Sequence, residues 1–392
     1  MKVRSIQTHV LRVPLGQERF YSSQCAFPER KSLLVRIETN NGFVGWGEGG
    51  QYGPAEPVAA CINHVLAPRL LGRSPHDVGT IWEELYALTR DFGQKGAYIE
   101  AISAIDIALW DLKGRSLGVP VCSLLGGAFR TSVAAYATGC YYRGDDVLDH
   151  HNALETLTAE ARGYTEAGWR ILKIKVGLLP VVADAQRVAA VREAVGQNFA
   201  LVVDANHAYN AATAIRMGRV LERYDCLFFE EPVPPEDRDG YRRVRHTLEI
   251  AIAGGEAEYT RWGFRDLVVG GCVDIAQPDL CVCGGFSEFQ KIAALASTFG
   301  VAVVPHVWGS GVALAATLHA IASLPPQPHT ANPVPLANEP VVEFDRNPNP
   351  LRDALLRRRI DIDQEGRVPV PQGPGLGIEV DEEVLSRYAQ PS

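Results

Sequence analysis

The chain of 392 residues predicts an α/β fold, a (β/α)7-8 barrel of the TIM type with an N-terminal α+β capping domain. Its N-terminal part combines a hairpin with long helical stretches, and after Pro120 short apolar strands alternate with alanine-rich helices. This alternation is typical of parallel strands joined by crossover helices, and seven or eight such units fit a barrel better than an open sheet. We place the capping domain at residues 1–122, the barrel at 123–355, and a tail that packs back on the capping domain at 356–392.

Two patterns predict the capping domain. Residues 33–49 alternate apolar and polar side chains on both sides of Asn41 and Gly42, which predicts a hairpin with an Asn-Gly turn. Residues 98–118 repeat apolar side chains at three- and four-residue steps, which predicts a helix.

Eight short apolar segments predict the strands of the barrel, and the last of them is the weakest. Helical stretches such as residues 183–196 and 286–300 separate the segments. The predicted strands are 132–139, 171–177, 200–206, 226–232, 250–256, 273–279, 301–308 and 340–344.

The composition excludes several classes of protein. The net charge is −8 and the longest basic run is only 357–359, so we expect no nucleic-acid partner and no anionic membrane partner. The first residues lack the continuous apolar core of a signal peptide, and no apolar run is long enough to cross a bilayer. The eight cysteines are scattered without zinc spacing, which favours free thiols and a cytoplasmic location.

Chemically active side chains follow the predicted strands. Successive strand ends are one strand–helix unit apart, so they return to the same end of the barrel, where active sites of this fold lie. Three neighbouring strands end in carboxylates, a costly concentration of negative charge unless a cation lies among them. Hard oxygen ligands favour Mg²⁺ as that cation. The side chains are Lys173, Lys175, Asp204, Glu230, Glu231, Glu256, Asp279 and His306.

Each of these residues also has a simpler interpretation. Lys173 and Lys175 share one face of a strand, where lysine often protects a solvated edge. Asp279 can be the N-cap of the next helix, and His306 can be a partly buried histidine with ordinary partners. For the whole set these simpler interpretations are less convincing than for each residue alone, because one periodicity brings all of the groups to one end of the barrel.

The motifs at the strand ends resemble those of the enolase superfamily, in its mandelate racemase-like branch, and the resemblance covers nearly the whole chain. They are KIK on the second strand, VVDAN on the third, FFEEP on the fourth, AGGE on the fifth, QPDL followed by CGGFSE on the sixth, and VVPHVW on the seventh. The resemblance implies a Mg²⁺-dependent barrel enzyme. By the same resemblance Asp204, Glu230 and Glu256 would bind Mg²⁺, and Asn206 would support the substrate or the metal.

The resemblance further implies two bases. Lys175 would act on one face of the substrate and the Asp279–His306 dyad on the other, while Lys173 would neutralise the substrate carboxylate. The physical argument is compatible, because removing a hydrogen next to a carboxylate creates a dianionic enediolate that needs nearby positive charge. The same positive charges should lower the pKa of Lys175.

An acid on the eighth strand could donate a proton to an enolate oxygen. Glu343 is the predicted residue and Glu339 is the alternative.

The loops of the capping domain are expected to select the substrate. Residues 15–30 and 47–56 are rich in polar side chains, which suits a hydroxylated or acidic substrate. We expect Arg19, Tyr52 and Trp308 to contact this small carboxylate substrate, and we expect the protein to be a homo-oligomer.

Further stretches resemble the lactone cycloisomerases of the superfamily. This implies ring opening of an aldaric acid 1,4-lactone to a 2-keto-3-deoxy acid. An acid-sugar dehydratase is the first alternative, followed by a racemase or epimerase. A non-catalytic barrel and a Schiff-base aldolase are alternatives of other kinds, and the aldolase would leave the three carboxylates unexplained. The stretches are 90–96, 136–139, 204–209, 278–288, 305–311 and 343–352.

Overall fold

The structure is a computed structural model that describes residues 1–50, 53–144 and 150–390. Among these residues, none of the helices combines the length and the apolar character that crossing a membrane requires.

The capping domain begins with an antiparallel sheet of three strands in the order β1-β4-β5, and a short separate hairpin is formed by β2 and β3. The strands are β1 Val3–Pro14, β2 Phe20–Tyr21, β3 Ala26–Phe27, β4 Glu29–Thr39 and β5 Val44–Gly49. The predicted hairpin at 33–49 is therefore present as β4 and β5.

The described residues of this part of the chain also form a 3-10 turn at Gly16–Glu18 and five α-helices, the first two of which are joined by a π-helical turn at Cys61–Leu66. They are α1 Ala55–Ala60, α2 Ala67–Leu70, α3 Val78–Thr89, α4 Ala97–Leu117 and α5 Val121–Leu124.

Alternating glycines explain how closely α4 packs on β5. A Cβ atom at Gly49 would lie 2.6 Å from the carbonyl oxygen of Glu100, and Gly45 and Gly47 leave even less room. Only glycine lets the helix backbone rest directly on this face of the strand.

The barrel has eight parallel strands in the order β12-β11-β10-β9-β8-β7-β6-β13, which confirms the predicted fold class. The strands β11 and β12 are shorter than predicted, because the chain leaves the ladder before Asp279 and His306. The strands are β6 Ser132–Thr138, β7 Ile171–Lys175, β8 Ala200–Asp204, β9 Cys226–Glu230, β10 Ala251–Gly254, β11 Ile275–Ala276, β12 Ala302–Val303 and β13 Val342–Asp345.

Helices connect successive strands, as expected for parallel neighbours, and a last short helix at Pro350–Asp353 follows β13. They are α6 His150–Glu166, α7 Val181–Val195, α8 Ala211–Arg223, α9 Arg238–Thr247, α10 Thr260–Val269, α11 Leu280–Cys283, α12 Gly285–Thr298, α13 Gly311–Ala322 and α14 Pro350–Asp353.

The tail contacts both parts of the molecule. Its strand β14, Arg367–Pro369, pairs antiparallel with β6 of the barrel. Its helix α15, Glu382–Tyr388, is followed by Gln390, whose backbone N–H donates to the carbonyl of Val10 in the capping domain at 2.8 Å.

A layer of apolar side chains fills the interior of the barrel. Because side chains alternate along a strand, the residue two positions further along points inward as well. On β7, β8, β9 and β13 that next inward residue is charged, so the site lies directly above the apolar layer. The buried members of this layer are Ala134, Tyr136, Ile171, Val202, Phe228, Ala253, Ile275, Val304 and Val341.

One buried carboxylate connects the capping domain to the barrel. Glu48 on β5 accepts hydrogen bonds from the hydroxyl of Ser32 at 2.6 Å and from the backbone N–H of Ser310 at 2.8 Å. It also accepts from the hydroxyl of Ser310 at 2.5 Å and from the N–H of Ala313 at 2.9 Å. The carboxyl group of Glu48 therefore lies at the N-terminus of α13, where these hydrogen bonds and the helix dipole favour its charged form although burial raises its pKa.

We expect Glu48→Ala to destabilise the protein by about 3 kcal/mol, because it leaves several buried donors without an acceptor. The midpoint of thermal unfolding measures this effect. Glu38→Ala is the control, since Glu38 on the neighbouring strand β4 forms partly exposed ion pairs with Arg4 and Arg36, and such pairs contribute little to stability. Equal shifts of the two midpoints would contradict this function of Glu48.

Candidate active site

The two lysines of β7 lie inside the barrel and do not protect a sheet edge. The exposed fraction is 1% for Lys173 and 4% for Lys175. The Nζ atom of Lys173 lies 2.7 Å from Oε1 of Glu230 and 2.6 Å from Oε1 of Glu343. The ammonium group of Lys175 donates a hydrogen bond to Oδ2 of Asp204. Both lysines are therefore part of a buried cluster of opposite charges.

Three carboxylates of this cluster can hold a metal ion. Asp204, Glu230 and Glu256 are all buried, and each offers one oxygen such that the three oxygens lie within 4.8 Å of one another. The Oε2 atom of Glu230 is buried and has no hydrogen-bond partner among the described residues. Such a buried oxygen is costly without a partner, and a set of hard oxygen donors suits Mg²⁺, so the residues present fit this cation.

Burial and neighbouring charges shift the pKa values of two triad carboxylates in opposite directions. Burial raises the pKa of Glu230 to about 8, and the nearby charges of Asp204 and Glu343 add to the rise although Lys173 opposes it. Burial also acts to raise the pKa of Asp204, but the charges of Lys175 and Lys173 outweigh it and lower that pKa to about 2. The neighbouring lysines therefore favour the ionised form of Asp204, whereas Glu230 needs more positive charge than Lys173 supplies to ionise at neutral pH.

The expected lowering of the pKa of Lys175 is wrong for the structure as it stands. Burial does act to lower this pKa, but the charge of Asp204 outweighs burial and raises the pKa. The ring of Tyr141 lies beside the ammonium group, with its centroid 4.8 Å from Nζ. The expectation assumed a divalent cation beside the carboxylates, and a cation bound to Asp204 would offset its charge.

The predicted dyad is formed across two loops. Nδ1 of His306 and Oδ2 of Asp279 lie 2.7 Å apart, and Oδ1 of Asp279 accepts from the backbone N–H of Cys281 at 2.7 Å. Asp279 is thus both the N-cap of α11 and the partner of the histidine. On the other side of the ring, Nε2 lies 3.7 Å from Oε2 of Glu256 and 3.6 Å from Oε2 of Glu343. Burial lowers the pKa of His306, but Glu256, Glu343 and Asp279 together raise it to about 9.

The structure separates the two candidate acids near the eighth strand. Glu343 on β13 is buried within the cluster, where it contacts Lys173 and accepts a hydrogen bond from the hydroxyl of Thr138 at 2.5 Å. Glu339, before the start of β13, forms ion pairs with Arg130 and Arg367 instead.

The predicted substrate-binding residues lie in different surroundings. Asn206 follows β8, and its backbone N–H donates to Oδ1 of Asp204 at 2.7 Å. Trp308 follows His306 by two residues and packs its ring against Phe27, with centroids 4.7 Å apart. Arg19 is exposed in the loop of the capping domain. Tyr52 lies outside the described residues.

Sequence reasoning missed Thr138, Tyr141 and the contact that Ser23 of the polar capping-domain loop makes with the barrel. Thr138 ends β6, so the rule applied to the other strand ends could have identified it. Tyr141 lies just after the same strand and covers Lys175. Ser23 belongs to the capping domain, and no pattern in the sequence indicates its contact with a barrel loop.

Comparison with known proteins agrees with this architecture. Residues 6–126 match the family model "Mandelate racemase / muconate lactonizing enzyme, N-terminal domain", and residues 156–384 match "Enolase C-terminal domain-like". The chain therefore belongs to the mandelate racemase and muconate lactonizing enzyme family of the enolase superfamily.

Individual relatives act on sugar acids and their derivatives. The chain is 44% identical to D-galactarolactone cycloisomerase of Agrobacterium fabrum, with all of both chains covered. It is also similar to the structure of 3,6-anhydro-D-galactonate cycloisomerase from Zobellia galactanivorans, at 39% identity and a TM-score of 0.87 with both chains fully covered. A third relative is a mutant L-talarate/galactarate dehydratase whose structure holds Mg and L-glucarate, at 29% identity and a TM-score of 0.86, covering 100% of this chain and 92% of that one. The prediction of an isomerase or lyase of the enolase superfamily is confirmed.

We expect Mg²⁺ to bind the acidic triad and Glu256→Gln to weaken this binding about 100-fold or more, because the variant removes one anionic ligand. Isothermal titration calorimetry of the protein with Mg²⁺ measures the affinity. Glu236→Gln is the control, since it removes the same charge from an exposed position on the loop after β9. Equal Mg²⁺ affinity in the Glu256→Gln protein and the control would rule out the triad as the metal site.

Proposed function

We propose that this protein opens an aldaric acid 1,4-lactone to a 2-keto-3-deoxy acid, as a Mg²⁺-dependent cycloisomerase. The observation that carries the proposal is the arrangement of two candidate bases, Lys175 on β7 and His306 after β12, around one acidic triad. Such a site suits removal of a proton next to a carboxylate. The full-length similarity to D-galactarolactone cycloisomerase supports the choice of substrate.

The charged cluster provides the binding site for the substrate carboxylate. Asp204, Glu230 and Glu256 would hold Mg²⁺, which when bound supplies positive charge beside that carboxylate. The ammonium group of Lys173, already buried among carboxylates, would contribute a second positive charge. Glu343 forms an ion pair with Lys173 and also lies near His306. From this position it would donate a proton to an oxygen of the substrate carboxylate.

The two bases would approach the α-carbon from different strands. Lys175 would become available when its proton is released and Asp204 engages the metal. His306 is oriented by Asp279, whose carboxylate holds one ring nitrogen so that the other faces the cluster. Of the predicted substrate contacts, Asn206 follows the triad residue Asp204 by two positions and Trp308 follows His306 by two, and we retain both in the proposal together with Arg19.

The reaction balances without a further reactant. A base takes the α-hydrogen as a proton, and the electron pair left on carbon forms the enediolate. The pair then forms a carbon–carbon double bond while the C–O bond at the adjacent carbon breaks, and the lactone oxygen leaves as part of a new carboxylate. Protonation of that adjacent carbon and loss of the enol proton give the ketone. The neutral acid keeps its formula, and one proton is released as the new carboxylate ionises.

A second candidate function is dehydration of an open-chain acid sugar. The similarity to L-talarate/galactarate dehydratase favours it, since the first proton transfer is shared. It differs in the leaving group, because hydroxide needs a proton from an acid whereas a carboxylate needs little help.

The proposal also includes the surroundings in which the enzyme works. The cysteines among the described residues are not joined by disulfides, which supports a reducing cytoplasm. A homo-oligomer is also part of the proposal, and its interface would cover some of the exposed apolar side chains, such as Phe92, Phe129 and Phe299.

We expect the enzyme with Mg²⁺ to convert an aldaric acid 1,4-lactone in deuterium oxide to a keto acid that carries one solvent deuteron at C3. Proton NMR should show the lactone signals disappear, and EDTA should stop the reaction. If the open-chain aldarate reacts much faster than the lactone and loses water, the dehydratase function replaces this one. If the α-hydrogen exchanges and no ketone forms, the protein is an epimerase.

Two variants in the same experiment test the bases. Lys175→Ala and His306→Ala should lose unequal amounts of turnover, because only one face of the lactone carries the acidic hydrogen. Equal and modest losses would show that neither residue removes the proton.

A further inference from the structure

The short hairpin of the capping domain lies on loops of the barrel. We call residues 20–27, which contain β2 and β3, the lid hairpin. Its Tyr21 pairs with Tyr142 after β6, with the N–H of Tyr21 donating to the carbonyl of Tyr142 at 2.9 Å and the reverse bond at 3.1 Å. The lid hairpin is thus docked on the barrel by backbone hydrogen bonds.

A single side chain of the lid hairpin connects it to the loop that follows a metal ligand. The hydroxyl of Ser23 lies 2.7 Å from the carbonyl oxygen of Ala205 and 3.0 Å from that of Asn206, and it donates to these two acceptors. Gly177, after β7, permits this approach, because a Cβ atom at Gly177 would lie 3.2 Å from Cβ of Ser23 and closer still to Ala208.

The loop that Ser23 contacts also determines how Asp204 is oriented. Asn206 has a φ of 42°, a left-handed conformation that is uncommon outside glycine and that asparagine adopts more readily than most residues. In this conformation its N–H reaches Oδ1 of Asp204 at 2.7 Å. The N–H of Ala205 donates to the carbonyl of Glu230 at 3.1 Å, so the same loop is tied to a second ligand of the triad.

We propose that Ser23 is a positioning residue that couples docking of the lid hairpin to the orientation of Asp204, so that lid docking and Mg²⁺ binding strengthen each other. The inference rests on the proposed Mg²⁺ site and adds to it a residue from the other domain. The Ser23 hydroxyl holds the carbonyl groups of Ala205 and Asn206, which keeps the N–H of Asn206 aimed at Asp204. Because coupling of two equilibria is reciprocal, a cation that fixes Asp204 also favours the docked hairpin.

The coupling has a direct consequence for catalysis. The lid hairpin belongs to the loop at 15–30 that is expected to select the substrate. When Ser23 docks the hairpin on the barrel, the metal site is complete and the substrate site is closed at the same time. The metal would then hold the substrate pocket together before the substrate arrives.

Calorimetric titration with Mg²⁺ alone tests the proposal without a substrate. We expect Ser23→Ala to bind Mg²⁺ about 5-fold more weakly than the native protein, the size expected from one net hydrogen bond. Ser22→Ala is the matched control, because the Ser22 hydroxyl accepts from the N–H of Gln24 within the hairpin. The control should bind Mg²⁺ within about twofold of the native protein. Native-like affinity in a folded Ser23→Ala protein would overturn the proposal.

Hydrogen exchange supplies a second test, and its first measurement needs only the native protein. We expect Mg²⁺ to slow exchange of the Tyr21 amide in the native protein, because metal binding favours the docked hairpin. The slowing should be smaller in Ser23→Ala. If Mg²⁺ binds and exchange in the lid hairpin is unchanged, the coupling is wrong while the metal site stands. If the native protein binds no Mg²⁺, both the coupling and the proposed function fail. Mg²⁺ binding with no lactone turnover contradicts only the choice of substrate.

Discussion

The buried cluster of opposite charges in the barrel mouth is the constraint on which the rest of the structure depends. Three carboxylates on neighbouring strands repel one another and lose hydration, so they are tolerated only with positive charge among them. Lys173 and Lys175 supply part of that charge from the adjacent strand β7. A buried cluster of this kind destabilises the fold, and it suits the binding of a cation and an anionic substrate.

Two side chains of the capping domain contact loops of the barrel. Glu48 fixes the sheet of the capping domain to the start of α13, and Ser23 reaches the loop after β8. These contacts differ in character, because the first is fully buried while Ser23 is half-buried at a hairpin that contacts the barrel through a few bonds. The contact of Glu48 therefore suits permanent docking of the capping domain, whereas the contact of Ser23 would cost less to break.

The periodicity of the sequence predicted most of the site. Strand alternation and the spacing of strand–helix units were enough to bring Asp204, Glu230 and Glu256 together, because both are properties of regular backbone. The contacts of Ser23 and Glu48 join residues far apart in the chain through loops, where no period exists. The pKa of Lys175 could not be predicted either, since it depends on the distance from Nζ to a single carboxylate. The two short strands β11 and β12 show the same limit, because each ends where its ladder to the neighbouring strands stops, which its own sequence does not indicate.

Diffraction from crystals grown with Mn²⁺ in place of Mg²⁺ tests the central claim most directly, because anomalous scattering locates the ion without assumptions about the ligands. We predict one strong anomalous peak within about 2.2 Å of an oxygen of each of Asp204, Glu230 and Glu256. The ammonium groups of Lys173 and Lys175 should remain in the barrel mouth beside it. Absence of a peak at the triad, or a peak elsewhere in the chain with the triad still paired only to the lysines, would contradict the account.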